Sequence, residues 1–191
     1  MNRLTQSAHT IAEIEMTPAG VVLNGKPLEI PVGPSDMLST IYRRYVNDYP
    51  KFFKMDRLGK LGFLASELLL QSLDEARFVP RDDRAVILFN SSGSHDADVH
   101  YQATINDKDH FFPSPSLFVY TLPNIVAGEI AIRNCYLGQT AFYVLANHDS
   151  QTIRQMVEAA FMDAGTRSIL TGWVDYYAEN RFEARMTIIS I

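Results

Sequence analysis

An amphipathic stripe that runs into a wholly apolar one constrains this chain more than any other feature. Over residues 56–76, Leu58, Leu61, Ala65, Leu68, Leu69, Leu73 and Ala76 recur at three- and four-residue steps. That spacing predicts a helix with one apolar face. After the turn VPRDDR, residues 85–90 read AVILFN, a continuous apolar run suited to a central parallel strand buried on both faces. Gly59 and Gly62 fall inside the helix and each costs roughly 1 kcal/mol against alanine, so close packing of another element is expected there.

The remaining elements alternate in the same way. TIAEIEM and GVVLNGKPLEI read as strands, and Asn24-Gly25 is a strong hairpin signal. Beyond residue 90 come a small polar loop, SSGSHDADVH, a Pro-rich loop, FFPSPS, and helical spacing at Ile125, Val126, Glu129, Ile130 and Ile132. A β-prone run of Ala141, Phe142, Tyr143, Val144 and Leu145 then opens onto a helix over residues 150–164. Its stripe is Ile153, Met156, Val157, Ala160, Phe161 and Ala164, with Asn147, Asp149 or Ser150 able to cap it. SILTGWVD and ARMTIISI read as two last strands. Alternating strand and helix predicts an α/β fold with a mixed, mainly parallel sheet and helices on both faces.

Composition removes several classes of function. One domain over residues 1–191 is expected, long enough to bury a substantial core. A net charge of −5 with no basic run argues against a nucleic-acid partner. No apolar run approaches the roughly 20 residues of a membrane helix, and MNRLTQSAHT lacks the apolar core of a secretion signal. The single cysteine, Cys135, excludes an intrachain disulfide and a multi-thiolate metal site. It reads as a small buried apolar side chain, and a cytoplasmic setting is the default.

In α/β enzymes a strand that turns sharply into a helix is a usual place for a nucleophile. Here GQTAFYVLANHDS, residues 138–150, puts Asn147 at that turn. Next to it, His148 reads as a helix-start histidine or as a donor into a small site. HDADVH gathers His95, Asp96, Asp98 and His100, the residue types of a hard or borderline metal site. As a strand it would offer three of the four on one face, and as a loop all four. A solvated loop is the plainer reading, and no metal or other cofactor is expected. Ser92, His95 and Asp98 make a triad on paper, but no nucleophile elbow supports it. The aromatic pairs Phe52-Phe53, Phe111-Phe112 and Tyr176-Tyr177 read as core or interface packing.

Taken in order, several pieces of residues 56–175 resemble the N-terminal half of a β-ketoacyl synthase, a condensing enzyme of the thiolase superfamily. They are KMDRLGKL at 54–61, AVILFNSSGS at 85–94, SPSLFVYTLPNIVAGEIAIRNCYLGQ at 114–139, and AGTRSILTGWVD at 164–175. Asn124, Ala127-Gly128, Gly138 and the Gly172 to Asp175 spacing are the more specific pieces. The N-terminal TIAEIEMTPAG lacks the family's Gly-rich first-strand ending. The resemblance implies a thiolase-like half-fold in which Asn147 occupies the place of the nucleophilic cysteine. It also implies that Asn124, Ile125, Asn147 and His148 border a substrate pocket, with Ile125 gating the acyl tunnel. In the same family Ala141, Phe142, Tyr143, Val144 and Leu145 form the strand that pairs across a two-fold axis.

The departures shape the expected function. An asparagine amide has no nucleophilicity comparable to a thiolate. Cys135 lies twelve residues earlier, the family's second-half histidines map onto none of this chain's, and Trp173 replaces the second glycine of a Gly-Gly pair. The resemblance therefore implies a non-catalytic homologue, like a chain-length factor, in fatty-acid, polyketide or aryl-polyene type synthesis. Its partners would be a full-length β-ketoacyl synthase or a second half-fold chain, in a homo- or heterodimer, together with an acyl carrier protein. Two other readings stand beside it. One is half of a split condensing enzyme, or a decarboxylase whose Asn147 amide polarises a malonyl thioester. The other is an acyl- or carrier-protein-binding module.

Overall fold

The computed structural model describes residues 8–31 and 36–191; the start of the chain, where no secretion signal is expected, lies outside them. Its strands are β1 (His9–Thr17), β2 (Gly20–Leu23), β3 (Lys26–Pro27), β4 (Arg84–Asn90), β5 (Thr140–Val144), β6 (Ser168–Ala178) and β7 (Arg181–Ser190). Among the described residues six α-helices and one short 3-10 helix (Pro50–Lys54) accompany them: α1 (Met37–Tyr45), α2 (Arg57–Gln71), α3 (His95–Ala103), α4 (Pro115–Tyr120), α5 (Ile125–Asn134) and α6 (Ser150–Ala160). The strands make one sheet in the order β3-β2-β1-β7-β6-β4-β5. No helix among the described residues is long and apolar enough to cross a membrane.

The sheet is mixed, but its parallel part is smaller than the strand-helix alternation predicts. Among the described strands only β4 pairs in parallel, with β5 on one side and β6 on the other. The other four pairings among the described residues are antiparallel. The cause is a hairpin from β6 directly into β7, after which β1 joins β7 from the far end of the chain.

Burial accounts for the composition of β4, every residue of which is inaccessible. Val86 and Leu88 face the larger core, with α2, α5 and α1. Ala85, Ile87 and Phe89 face the opposite layer, where Val157 and Ala160 of α6 cover them. Helices thus lie on both faces, as expected for an α/β fold, although α6 alone clothes the second. Over the antiparallel half that face keeps a polar surface: Glu13, Glu15 and Arg185 are exposed, and Arg185 pairs with Glu15 at 3.2 Å.

Helix α2 shows why its glycines are there. A Cβ on Gly62 would stand 2.7 Å from Val126 Cγ1 of α5, and one on Gly59 would stand 2.6 Å from Asp56 Oδ1. Asp56 caps the helix by accepting from the Gly59 amide at 2.8 Å. The helix stops at Gln71, short of the expected end, because Ser72 turns its hydroxyl back onto the Leu69 carbonyl. At Asn24-Gly25 both residues take positive φ, 50° and 75°, as a two-residue hairpin between β2 and β3 requires.

Candidate functional site

The three parallel strands end on the same side of the molecule, and the candidate site lies there. Loops outside the carboxyl ends of parallel strands are the usual ligand crevice of open α/β sheets. After β4, Asn90 closes a tight turn by bonding Gly93 through both its amide nitrogen (2.8 Å) and its oxygen (3.1 Å). That places Ser91 and Ser92 against Asp175 of β6. The buried Asp175 carboxylate accepts from both serine amides, at 3.1 and 3.0 Å, and from both hydroxyls. A buried carboxylate costs several kcal/mol unless its lone pairs are filled, and the Ser-Ser turn fills them. Ser92 is therefore spent on Asp175, while Asp98 takes the Ser94 hydroxyl. The paper triad of Ser92, His95 and Asp98 does not form.

After β5 the chain bends at Ala146 and Asn147 before entering α6. Asn147 is exposed, and its position two residues ahead of the cap leaves it outside the helix. Asp149 is the cap, accepting from the amides of Gln151 (3.0 Å) and Thr152 (3.4 Å) and from Thr152 Oγ1 (2.7 Å). These bonds, the Thr152 hydroxyl foremost, hold the Asp149 carboxyl below the usual carboxylate range. An ionised carboxylate thus occupies the partial positive charge of the helix start, the feature that would otherwise depress a thiol's pKa.

His148, exposed at the turn, meets Trp173 edge-on, with ring centroids 5.0 Å apart. The register places Tyr143, Phe89 and Trp173 side by side across β5, β4 and β6, and Tyr143 stacks on Phe89 at 5.5 Å. The row forms an aromatic floor beneath the turn. Two cavities meet at the His148-Trp173 pair. One, of about 420 Å³, runs between α6 and the β6-β7 surface. The other, of about 430 Å³, lies toward the β6-β7 turn. Neither is lined by Asn124, Ile125 or Asn147. Asn124 precedes α5 without bonding its amides through the side chain, and Ile125 is half-buried at the helix start. Of the four expected pocket residues, the two cavities thus take in only His148.

The expected metal candidates lie on a helix, neither the strand nor the loop that the spacing allowed. Asp96 and Asp98 stand in the first turn of α3, where negative charge complements the helix end. His100 Nδ1 reaches the Asp96 carbonyl at 2.7 Å, and Asp98 binds Ser94. Among the described residues no three His, Cys, Asp or Glu side chains come together as a metal set. Cys135, expected to be buried, is half-buried and ends α5 with a left-handed φ of 56°.

Asp96 has a different consequence. Burial, with the Asp96 charge adding to it, pushes the neighbouring Asp56 carboxyl up to about 6. A carboxyl raised in the folded state binds a proton that the unfolded chain has already lost, so stability falls as pH rises from about 4 to about 6. Asparagine caps helices as well as aspartate does. Asp56→Asn is expected to match the wild type in urea melts at pH 4 and to exceed it by roughly 1–2 kcal/mol at pH 7.5.

No protein-family model matches the chain, and no curated protein matches it. Solved structures do. It superposes on the ishigamide ketosynthase/chain length factor with a TM-score of 0.73 and 15% identity, covering 97% of this chain and 62% of that one. The ketosynthase ApeO in complex with its chain length factor ApeC, from Xenorhabdus doucetiae, matches at TM-score 0.64 and 11% identity, over 97% of this chain and 79% of that one. The chain has a ketosynthase-like fold. The ketosynthase from module 6 of the bacillaene synthase of Bacillus subtilis 168 agrees at TM-score 0.57 and 11% identity, over 96% of this chain and 37% of that one. The chain therefore spans about 62% of the first of these proteins, and the likeness is one of fold. It bears out the thiolase-like α/β half-fold expected from the ordered sequence pieces.

The Asp175 clamp and the Trp173-His148 contact were not foreseen. The signal for the clamp is a Ser-Ser pair directly after a fully buried strand, facing an aspartate near the end of another.

Proposed function

We propose that the chain is a non-catalytic, chain-length-factor-like partner of a ketosynthase in the building of fatty-acid, polyketide or aryl-polyene type acyl chains on a carrier protein. The observation that carries this reading is the β5-α6 turn. Asn147 stands at the place the resemblance assigns to the nucleophile, and Asp149 already holds the helix start. Support comes from the sheet order, which leaves β5 as an end strand with one edge unpaired among the described residues. Val144 on it is 53% exposed. Apolar open edges are aggregation hazards unless covered, and strand pairing with a partner covers this one. Two of the structures it resembles contain a chain length factor together with a ketosynthase.

A split enzyme would need a second half-fold packed on one face of the sheet, and the face that α6 alone covers is the more open of the two. Glu13, Glu15 and Arg185 make that surface polar across β1 and β7, which favours the partner reading, because obligate interfaces resemble a divided core. The decarboxylase reading rests on the Asn147 amide alone, with no general acid beside it in the described contacts.

Co-expression with a ketosynthase that carries its cysteine and two histidines tests the proposal. A stable complex is expected, and the isolated chain is expected to leave a malonyl-carrier thioester intact. Decarboxylation by the isolated chain that disappears in Asn147→Ala would overturn the non-catalytic reading. Restoring the sulfur is not expected to restore a nucleophile. With Asp149 at the helix start, the thiol of Asn147→Cys should titrate at about 8.5 or above, measured by the pH dependence of its alkylation.

A further inference from the structure

The two cavities that meet at His148 and Trp173 differ in chemistry, and the difference is ordered along one line. The α6 cavity is walled by Ile153, Val157 and Phe161 of the helix, with Ile189 and Trp173 on the sheet. Its described charged residues lie toward solvent: Arg154 is paired with Glu158 at 2.7 Å, and Arg185 with Glu15. The second cavity presents Ser91, Tyr177, Asn180 and Arg181, and its two carboxylates are already engaged, Asp175 by Ser91 and Ser92 and Glu183 by Arg185 at 3.5 Å. The Arg181 guanidinium lies 4.3 Å from the Tyr177 ring centroid, and no carboxylate stands within ion-pair distance of it among the described residues. Trp173 and the exposed His148 belong to both walls, so the imidazole stands where an apolar chamber meets a polar one. Each chamber has the size of a small-molecule pocket.

We propose that this double chamber is a binding site for an amphipathic thioester arm: a medium-length acyl chain in the α6 chamber, joined past His148 to an amide-bearing, phosphate-terminated arm in the chamber of Arg181. The proposal rests on the carrier-linked reading above and deepens it. The acyl chain would then lie on the α6 side of the sheet, away from Ile125. Polarity sets the orientation, because an apolar tail gains by leaving water only in the α6 chamber and a phosphate finds its unpaired cation only in the other.

The chain's single tryptophan is Trp173, so intrinsic fluorescence reads this site alone. The probes are S-decyl-phosphopantetheine (a thioether that cannot hydrolyse), phosphopantetheine and 1-decanol. The decyl-phosphopantetheine is expected to change Trp173 emission and to bind about tenfold or more tighter than either part. Ile153→Asp should remove the gain from the tail. Arg181→Ala, at an exposed position, should remove the gain from the head and leave decanol binding unchanged. No emission change, or an affinity independent of tail length, overturns the proposal, as does unaltered binding in both variants. Should Ile153→Asp fail to fold, Arg181→Ala and the tail-length series still decide. Ketosynthase co-purification is read separately, so failure of this site and failure of the partner reading are told apart.

Discussion

Gly172→Ala is expected to lower the melting temperature by about 10 °C, the largest single-methyl effect among the described glycines. Gly172 sits in β6 opposite Met186 of β7. A Cβ there would stand 2.2 Å from the Arg185 carbonyl oxygen and 2.6 Å from Met186 Cα. Both are backbone atoms, so no rotamer change relieves the overlap and the strands must part. Overpacking of this kind costs roughly 3 kcal/mol or more, and β6 joins the parallel to the antiparallel half of the sheet. Gly128→Ala is the matched control. Its Cβ meets nothing within 4 Å on α5, and a helical Gly→Ala change at an unobstructed position should stabilise by about 0.5–1 kcal/mol. Differential scanning calorimetry of the two variants distinguishes a backbone clash from a general sensitivity of the sheet.

The same glycine shows what could be read from the sequence. Gly172 and Asp175 figured as parts of an ordered pattern, and their physical roles are close strand approach and a buried carboxylate. Neither role shows in the letters, because both depend on β7 and on the Ser91-Ser92 turn, which contact β6 from elsewhere. Local patterns were legible wherever one element met its layer directly. AVILFN had to be central because both its faces are buried, and α2 carried its stripe openly. Helices α1 and α4 were not expected: at nine and six residues they are too short to show a lasting period. The loop reading of HDADVH failed for a related reason. Its only buried residue is Ala97, so no apolar stripe announced the helix.

The sheet's balance of pairings departs furthest from the strand-helix alternation, and its source is non-local. Strand-helix alternation holds from β4 to β6, where the pairing is parallel. The β6-β7 hairpin turns through Glu179-Asn180, with none of the Asn-Gly or Asp-Gly chemistry that marks the β2-β3 turn. β7 then meets β1 across nearly the whole chain, a pairing that no local signal encodes. At the site, the place of Asn147 followed from spacing, because the strand-turn-helix there is local. What surrounds it did not, since Trp173 comes from another strand and Asp149 was one of three possible caps.

Val144→Pro is expected to abolish pairing with a ketosynthase while leaving the chain folded. The argument is the direction of backbone groups along β5. Leu145 donates its amide to the Asn90 carbonyl, and the Gln139 carbonyl accepts from the Val86 amide, both at 2.8 Å. With a period of two along a strand, Thr140, Phe142 and Val144 point their backbone groups away from β4, toward the open edge. Proline at 144 removes a donor that serves no bond among the described residues and puts a ring where a partner strand would lie. Its preference for an extended preceding residue suits Tyr143, already in the strand. Tyr143→Pro, one residue earlier, puts its ring on the β4 side and should unfold the edge instead. For Val144→Pro, leaving one partner group unpaired costs about 1–3 kcal/mol, which weakens the complex roughly 5- to 150-fold, and the clash of the ring adds to it. Co-purification and analytical ultracentrifugation should show the variant as free chain, with a melting temperature close to wild type. If Val144→Pro still binds the ketosynthase at wild-type affinity, β5 is not the pairing strand, and the partner must meet another face.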